Sequence, residues 1–296
     1  MSKDVLFDKI AFLGIGLIGA SMARVIAREG LCRSMVAYSR RGVTRSKALE
    51  LGLVEAVYEE PAEAVAGADL VVIAAPIGAY ASLAEAIGPT LSPGTIVTDV
   101  GSVKQAAIDA VQPYLASGVH FVPGHPIAGT EHSGPEAGFA DLFEGRWTIL
   151  TPALCSDEKA VEQISELWRC CGASVETMKP EHHDMVLSIT SHLPHLIAYT
   201  IVGTATSLEE DLRQEVIKFS ASGFRDFTRI AASDPVMWRD VFLSNKEATL
   251  AILQRFNEDL AAMQSAIEKG DGKTLLDFFS RTRDIRRGII IANQAD

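Results

Sequence analysis

Between residues 9 and 150, short apolar runs alternate with stretches in which apolar residues recur every three or four positions, the pattern of strands joined by crossover helices in a parallel sheet. The runs predict strands over 9–13, 35–38, 54–58, 70–74, 95–99, 120–122 and 147–150. Helices are predicted between them, among them 17–29 and 103–114, with Gly30 and Gly118 placed as stop signals. A helix over 157–171 and a strand over 174–178 close this region near Lys179. Beyond Pro180 the strand pattern largely vanishes. One long helix is expected over 181–207, kinked by Pro194, with further helices over 212–220, 235–269 and 273–292. The expected architecture is α/β, a doubly wound sheet over residues 1–179, followed by an all-α domain over residues 180–296. The stretch 245–269 carries Leu250, Leu253, Phe256, Leu260 and Met263 on one stripe, which suits a homodimer interface or, nearly as well, an intrachain core.

Composition narrows the class. The chain has 296 residues, 48% hydrophobic and 22% charged, an ordinary soluble balance long enough for two domains. A formal charge of −11 without any Lys/Arg run argues against a nucleic-acid partner. Four cysteines, Cys170 and Cys171 adjacent, show neither metal spacing nor a disulfide framework, and no apolar run approaches the length of a membrane span. The start of the chain is too short and too charged for a signal peptide, so a cytoplasmic protein is expected.

The predicted first strand runs into the first helix through Gly14-x-Gly16-x-x-Gly19. Gly14 allows a sharp turn, Gly16 a close approach of backbone N–H groups to a pyrophosphate, and Gly19 tight packing of helix on sheet, which makes this a Rossmann-type dinucleotide loop. The motif alone is weak, and a plain tight turn is its rival. A second strand about twenty residues on supplies the expected context. That strand ends in Tyr38-Ser39-Arg40-Arg41, with no carboxylate to bond a ribose 2′-OH. A hydroxyl and two guanidiniums suit a 2′-phosphate, so NADP is favoured over NAD, the alternative being solvated loop arginines.

Candidate chemistry gathers at the ends of the later strands. His125 follows the sixth strand between Gly124 and Pro126, and with an ordinary imidazole pKa near 6.5 it suits a base for a hydroxyl proton, against the blander reading of a structural histidine. Ser102, in Asp99-Val-Gly-Ser-Val-Lys104, reads either as a helix N-cap or as a partner of the imidazole and the nicotinamide. A Ser/His hydrolase lacks its Gly-x-Ser-x-Gly. In the helical half, His192 and His195 fall one turn apart, a spacing open to a metal but interrupted by Pro194, so no metal is assigned. Arg225 and Arg229, followed by Trp238, suit a carboxylated ring-shaped substrate. Surface salt bridging is the competing reading for Arg225 and fits Arg229 less well.

With these motifs assembled, the sequence resembles the prephenate/arogenate (cyclohexadienyl) dehydrogenase family of tyrosine biosynthesis. Gly-Leu-Ile-Gly-x-Ser, Asp-x-Gly-Ser-Val-Lys, His-Pro-Ile-Ala-Gly-Thr-Glu-x-Ser-Gly, Ser-His-Leu-Pro-His, Phe-Arg-Asp-x-Thr-Arg-Ile-Ala and Asp-Pro-x-Met-Trp occur in the family's order and span nearly the whole chain. The resemblance implies oxidative decarboxylation of a cyclohexadienol: hydride passes to the nicotinamide and the ring carboxylate leaves as CO₂. Carried over by position, His125 is the catalytic histidine, with Ser102 polarising it. Arg229 rather than Arg225 binds substrate carboxylate, His195 and His183 lie on the substrate side, and Glu131 and Trp238 shape and gate the pocket. The cofactor set is Gly14, Gly16, Leu17, Ile18, Gly19, Ser39, Arg40, Arg41, Pro76, Gly101 and Ser102.

Two departures matter. His132 stands where the family often has Lys, which leaves prephenate against arogenate open, and Ser39-Arg40-Arg41 replaces the acidic residue many relatives carry. The first strand starts near residue 9 and the last helix runs to 292, so neither a fused mutase domain nor a trailing regulatory domain is expected, and feedback through such a domain should be weak or absent. A β-hydroxyacid dehydrogenase, whose acid/base is a helical-domain lysine, and a non-catalytic dinucleotide sensor are the alternatives weighed.

Overall fold

The computed structural model describes residues 5–153, 156–207, 215, 218 and 221–291. Six parallel strands form the main sheet: β1 (Phe7–Leu13), β2 (Cys32–Tyr38), β3 (Ala56–Tyr58), β4 (Leu70–Ile73), β5 (Ile96–Asp99) and β6 (His120–Val122), in the order β3-β2-β1-β4-β5-β6. The order reverses direction between β1 and β4, the crevice where sheets of this type take ligands. Register follows the apolar pattern: Leu13 aligns with Ile73 of β4, and Ile73 with Asp99 of β5.

Alternation along each strand feeds two cores. Ile10 and Phe12 point to one face, where α1 (Leu17–Glu29) and α6 (Glu158–Cys170) add Met22, Ile26, Leu167 and Trp168. Ala11 and Leu13 point to the other, covered by α4 (Tyr80–Ile87) and α5 (Gln105–Val111) through Leu83, Ile87 and Val111. Each fully buried aliphatic side chain stabilises by about 1.5–3 kcal/mol, which is why strands buried on both faces read as continuous apolar runs. Two short helices, α2 (Gly42–Glu50) and α3 (Pro61–Val65), connect the β2–β4 segment.

Three expectations change. The run over 147–150 leaves the parallel sheet: β7 (Gly124–Pro126), β8 (Trp147–Leu150) and β9 (Ser174–Thr177) form a second sheet in which β7 pairs antiparallel with β8, setting His125 opposite Ile149. A short apolar run carries no information on its partner, and only pairing decides it. The expected long helix consists of α7 (Pro180–Leu187), a π-helical turn Ser188–His192 and α8 (Leu193–Thr206). Pro194 has no N–H to give the preceding turn, and the wider π turn takes up the mismatch just before it. The helix expected over 235–269 breaks at Asn245 into α10 (Pro235–Ser244) and α11 (Lys246–Glu268). Asn245 leaves helical geometry because its amide is used inside the molecule, donating to the Asp184 carbonyl at 2.8 Å. Between these lies α9 (Ser222–Thr228), while the helix expected over 212–220 falls, but for isolated positions, outside the described residues.

The chain divides into two compact units, residues 1–248 and 249–296. The second unit contains the rest of α11 and α12 (Gly272–Ile291), joined through Gly270 at φ +65°, with Asp271 capping α12 through the Thr274 amide. Leu250, Leu260, Ile267, Leu276, Phe279 and Ile285 are exposed along these helices.

Candidate active site

At the β1–α1 turn the backbone does the work. Gly14 sits at φ +102°, and a Cβ there would lie 2.5 Å from the Ala74 carbonyl oxygen; one on Gly19 would lie 2.7 Å from the Gly14 oxygen. Both glycines are sterically required. Gly16, the N-cap of α1, has nothing within 4 Å of an added Cβ. The open space at a helix N-terminus that no side chain caps fits a dinucleotide pyrophosphate. Leu17 and Ile18 are half-buried in the first turn of α1 and pack against the core, and Pro76 is exposed just beyond β4, in the crevice region.

At the tip of β2, Ser39 is buried while Arg40 and Arg41 are exposed. Among the described residues neither arginine forms an ion pair. A third guanidinium, Arg45, donates to the Ser39 and Arg40 carbonyls at 3.0 and 3.2 Å and pairs with Glu59, bracing the loop.

The end of β5 is organised by side chains. Asp99 and Lys104 are fully buried and paired, Nζ to Oδ2, at 2.5 Å, and Gly101 donates its amide to the same carboxylate at 2.8 Å. A Cβ on Gly101 would fall 2.8 Å from the Tyr80 hydroxyl, so only glycine fits. Ser102 does not cap α5. The Lys104 and Gln105 amides at its N-terminus donate instead to the Asp184 carboxylate, at 2.8 and 3.0 Å, so the cap comes from α7, eighty residues away.

Asp184 also orders the histidines. Its Oδ1 lies 2.8 Å from His183 Nδ1, and His183 Nε2 lies 2.9 Å from His125 Nδ1. Burial pushes the Asp184 carboxyl up, but the hydrogen bonds from His183 and the two amides outweigh it and hold it below its usual range. An ionised carboxylate only accepts, so the His183 proton sits on Nδ1, leaving Nε2 to accept from His125 Nδ1–H. The second nitrogen of His125 is then an unprotonated acceptor. Burial, followed by the neighbouring His183, Lys104 and His192, holds His125 well below the ordinary imidazole value. His183 is also lowered, by burial ahead of Lys104, against the opposing pull of Asp184.

The remaining candidates line up beyond this pair. His192 accepts from Asn245 Nδ2 at 3.1 Å through Nδ1, and burial lowers it to about 4. His195 stacks on Trp238 with ring centroids 3.7 Å apart, its Nδ1 held on the Ser191 carbonyl at 2.9 Å. Burial lowers it, and the Arg229 charge acts in the same direction. Arg229 pairs with Glu131 at 3.0 Å, while Arg225 forms no ion pair among the described residues. The ion pair thus falls on Arg229, for which salt bridging was the less fitting reading, and not on Arg225. The structure joins His125 to His183, stacks His195 on Trp238 and pairs Arg229 with Glu131, and it leaves Arg225 outside these contacts.

Comparison with known proteins bears on this geometry directly. Residues 22–177 match the prephenate dehydrogenase nucleotide-binding domain, and residues 179–281 the prephenate dehydrogenase dimerization domain. The cyclohexadienyl dehydrogenase of Zymomonas mobilis is 40% identical over 282 residues, 95% of each chain. The chain belongs to the prephenate dehydrogenase family. The prephenate dehydrogenase of Bacillus subtilis is 36% identical over 286 residues, 95% of this chain and 76% of that protein. The crystal structure of prephenate dehydrogenase from A. aeolicus in complex with hydroxyphenyl propionate and NAD⁺ superposes with a TM-score of 0.91 at 33% identity, covering 97% of this chain and all (100%) of that one.

As a prephenate dehydrogenase family member the chain is a nicotinamide-dependent oxidoreductase with a Rossmann-type domain. Motif reading quoted Asp99 and Lys104 as the ends of Asp-x-Gly-Ser-Val-Lys without giving them a role, and it missed Asp184 and Asn245. The partners of Asp99, Asn245 and Asp184 lie 25, 61 and 80 residues away. The available signal was charge, since Asp99 closes an apolar strand.

Proposed function

We propose that this enzyme oxidatively decarboxylates prephenate, arogenate or both, giving 4-hydroxyphenylpyruvate or tyrosine and CO₂ in tyrosine biosynthesis, with His125 taking the ring hydroxyl proton. The observation that carries this reading is the Asp184–His183–His125 chain, 2.8 and 2.9 Å per link, which fixes His125 as an acceptor. The nicotinamide, when bound, supplies the hydride acceptor. His125, kept unprotonated at neutral pH, receives the proton as the hydroxyl carbon gives up its hydride, and loss of CO₂ makes the ring aromatic. His183 has both ring nitrogens committed, so its role is to hold His125 rather than to bond the substrate. Ser102 lies at the end of β5, where it can meet the hydroxyl and the nicotinamide.

Arg229 has guanidinium donors left after its contact with Glu131, and these suit a substrate carboxylate. Trp238 and His195 form a stacked wall for the ring. The exposed Arg40 and Arg41 favour NADP over NAD, since the segment Tyr38-Ser39-Arg40-Arg41 carries no carboxylate to bond a ribose 2′-OH, and the nearby Glu59 is paired with Arg45. A homodimer formed through apolar positions on α11 and α12, in the reducing cytoplasm, completes the reading.

The test is absorbance at 340 nm with prephenate or arogenate and each oxidised dinucleotide. Turnover is expected with at least one substrate, with kcat/KM higher for NADP. Protein that binds cofactor but turns over neither substrate would contradict the proposal.

A further inference from the structure

Lys104 has no exposed surface, a state rare for lysine unless its charge is matched. Its Nζ contacts two groups, Asp99 Oδ2 at 2.5 Å and the Gly124 carbonyl oxygen at 2.6 Å. Asp99, buried as completely, accepts the Gly124 amide through Oδ1 at 3.1 Å. Its Oδ2 also accepts the Tyr80 hydroxyl at 3.0 Å. One ion pair therefore grips both backbone polar groups of Gly124, and the carbonyl it grips belongs to the peptide bond leading into His125. Gly124 itself has no slack, because a Cβ there would lie 3.0 Å from the Asp99 carbonyl.

The geometry points to Asp99 and Lys104 as positioning residues that fix the backbone leading into His125 and, as an ion pair, set the charge around the His125–His183 pair. The assignment rests on the reading of His125 as the proton acceptor. Stability alone gives no reason for such a pair: two buried charges cost several kcal/mol each to desolvate, and apolar replacements of buried pairs are often neutral or stabilising. A cation at this place has a consequence that an apolar filler lacks. It disfavours the imidazolium form and so keeps the base ready at neutral pH. The groups acting on the His125 ring are His183, Lys104 and His192, all of cationic type, and burial adds to them. Those acting on His183 are Asp184 and Asp99, which favour its protonation, and Lys104, which opposes it. Lys104 is the one group acting on both rings; burial lowers its own pKa, and the Asp99 carboxylate paired with it opposes that shift.

The experiment uses the full chain carrying Lys104→Met or Lys104→Gln, the glutamine variant retaining a polar side chain able to reach Asp99 and Gly124. Three quantities are read: kcat against KM, the acidic limb of the kcat–pH profile, and the histidine ring titrations by ¹⁵N NMR without substrate. Expected are a fall in kcat of about tenfold or more with KM within about threefold. The acidic limb and the His125 titration should both move to higher pH. The Asp99 charge left behind pushes in the same direction. Folded variants whose limb and ring titration stay at wild-type pH would overturn the inference, and so would failure of both to fold, which would assign the pair to stability alone. Wild-type turnover in His125→Asn would instead remove the reading of His125, while the ring titrations would still report on Lys104.

Discussion

The β1–α1 turn and the histidine corner, where β7 of the second sheet meets α7, are made of different material. The turn is backbone: Gly14 and Gly19 are held by contacts within 2.5–2.7 Å of where a side chain would start, and Gly16 opens onto free space. The corner is side chain, a chain of donors and acceptors running from Asp184 through His183 to His125, with Asp99 and Lys104 gripping the strand beneath. A binding surface for phosphate needs amides at a helix end and no protruding groups. A proton acceptor needs one lone pair in a fixed direction, and this requires each neighbouring proton to be fixed as well. The two regions should therefore fail differently when altered.

The largest effect is expected from His125→Asn. The asparagine amide can still donate toward His183 Nε2, so the corner keeps its packing, but no basic nitrogen remains. kcat should fall by about 100-fold or more with substrate KM little changed, because a base acts in the transition state. In the wild type the acidic limb of kcat should lie below pH 6.5. Burial, then His183, Lys104 and His192, lower the folded-state value, and the active form is the unprotonated one, so activity persists as pH falls to that lowered value and is lost beneath it. Steady-state rates across pH check both statements; an unchanged kcat would break the comparison at its centre.

The same contrast explains what could be read in advance. The six sheet strands, α1 to the residue and the glycine loop are local features, set by apolar periodicity over a few positions and by backbone sterics, and each was legible. His125 and Ser102 were singled out because they lie next to glycines and prolines at strand ends. The corner's support was not legible, since Asp184 reaches Lys104 and Gln105 across eighty residues and Asn245 reaches His192 across fifty-three. Ser102 misled for the same reason: a serine near a helix start is the local favourite for a cap, and the cap came from a distant carboxylate. The ion pair of Arg229 was not legible either, because its partner, Glu131, lies ninety-eight residues away.

Glycine substitutions sharpen the turn's side of the comparison. Gly16→Ala places its methyl in open space, so melting temperature should stay near wild type while cofactor KM rises roughly 30-fold, about 2 kcal/mol of lost binding. Gly14→Ala must instead place a Cβ against the Ala74 carbonyl at φ +102°. That variant should lose about 1–3 kcal/mol of stability in denaturant unfolding. Equal stability losses in both variants would mean that Gly16 serves the fold and not the ligand.

The smallest effect is expected at the far end of the cofactor site, where Arg40 and Arg41 extend into solvent from the β2 tip. Each exposed guanidinium can offer a charge-assisted hydrogen bond to a 2′-phosphate, worth about 1.5 kcal/mol at a partly solvated site, or roughly tenfold in affinity. Arg41→Ala should therefore lower kcat/KM for NADP about tenfold and leave NAD almost untouched, moving the enzyme toward NAD without gain in total activity. Arg45 gives the contrast within the loop. It spends its donors on the Ser39 and Arg40 carbonyls and on Glu59, so Arg45→Ala should loosen the whole tip and reduce use of both cofactors together. Ratios of kcat/KM for the two dinucleotides separate these cases: a selective loss marks a residue that reads the phosphate, a parallel loss one that shapes the loop, and a parallel loss in Arg41→Ala would return the favoured cofactor to NAD.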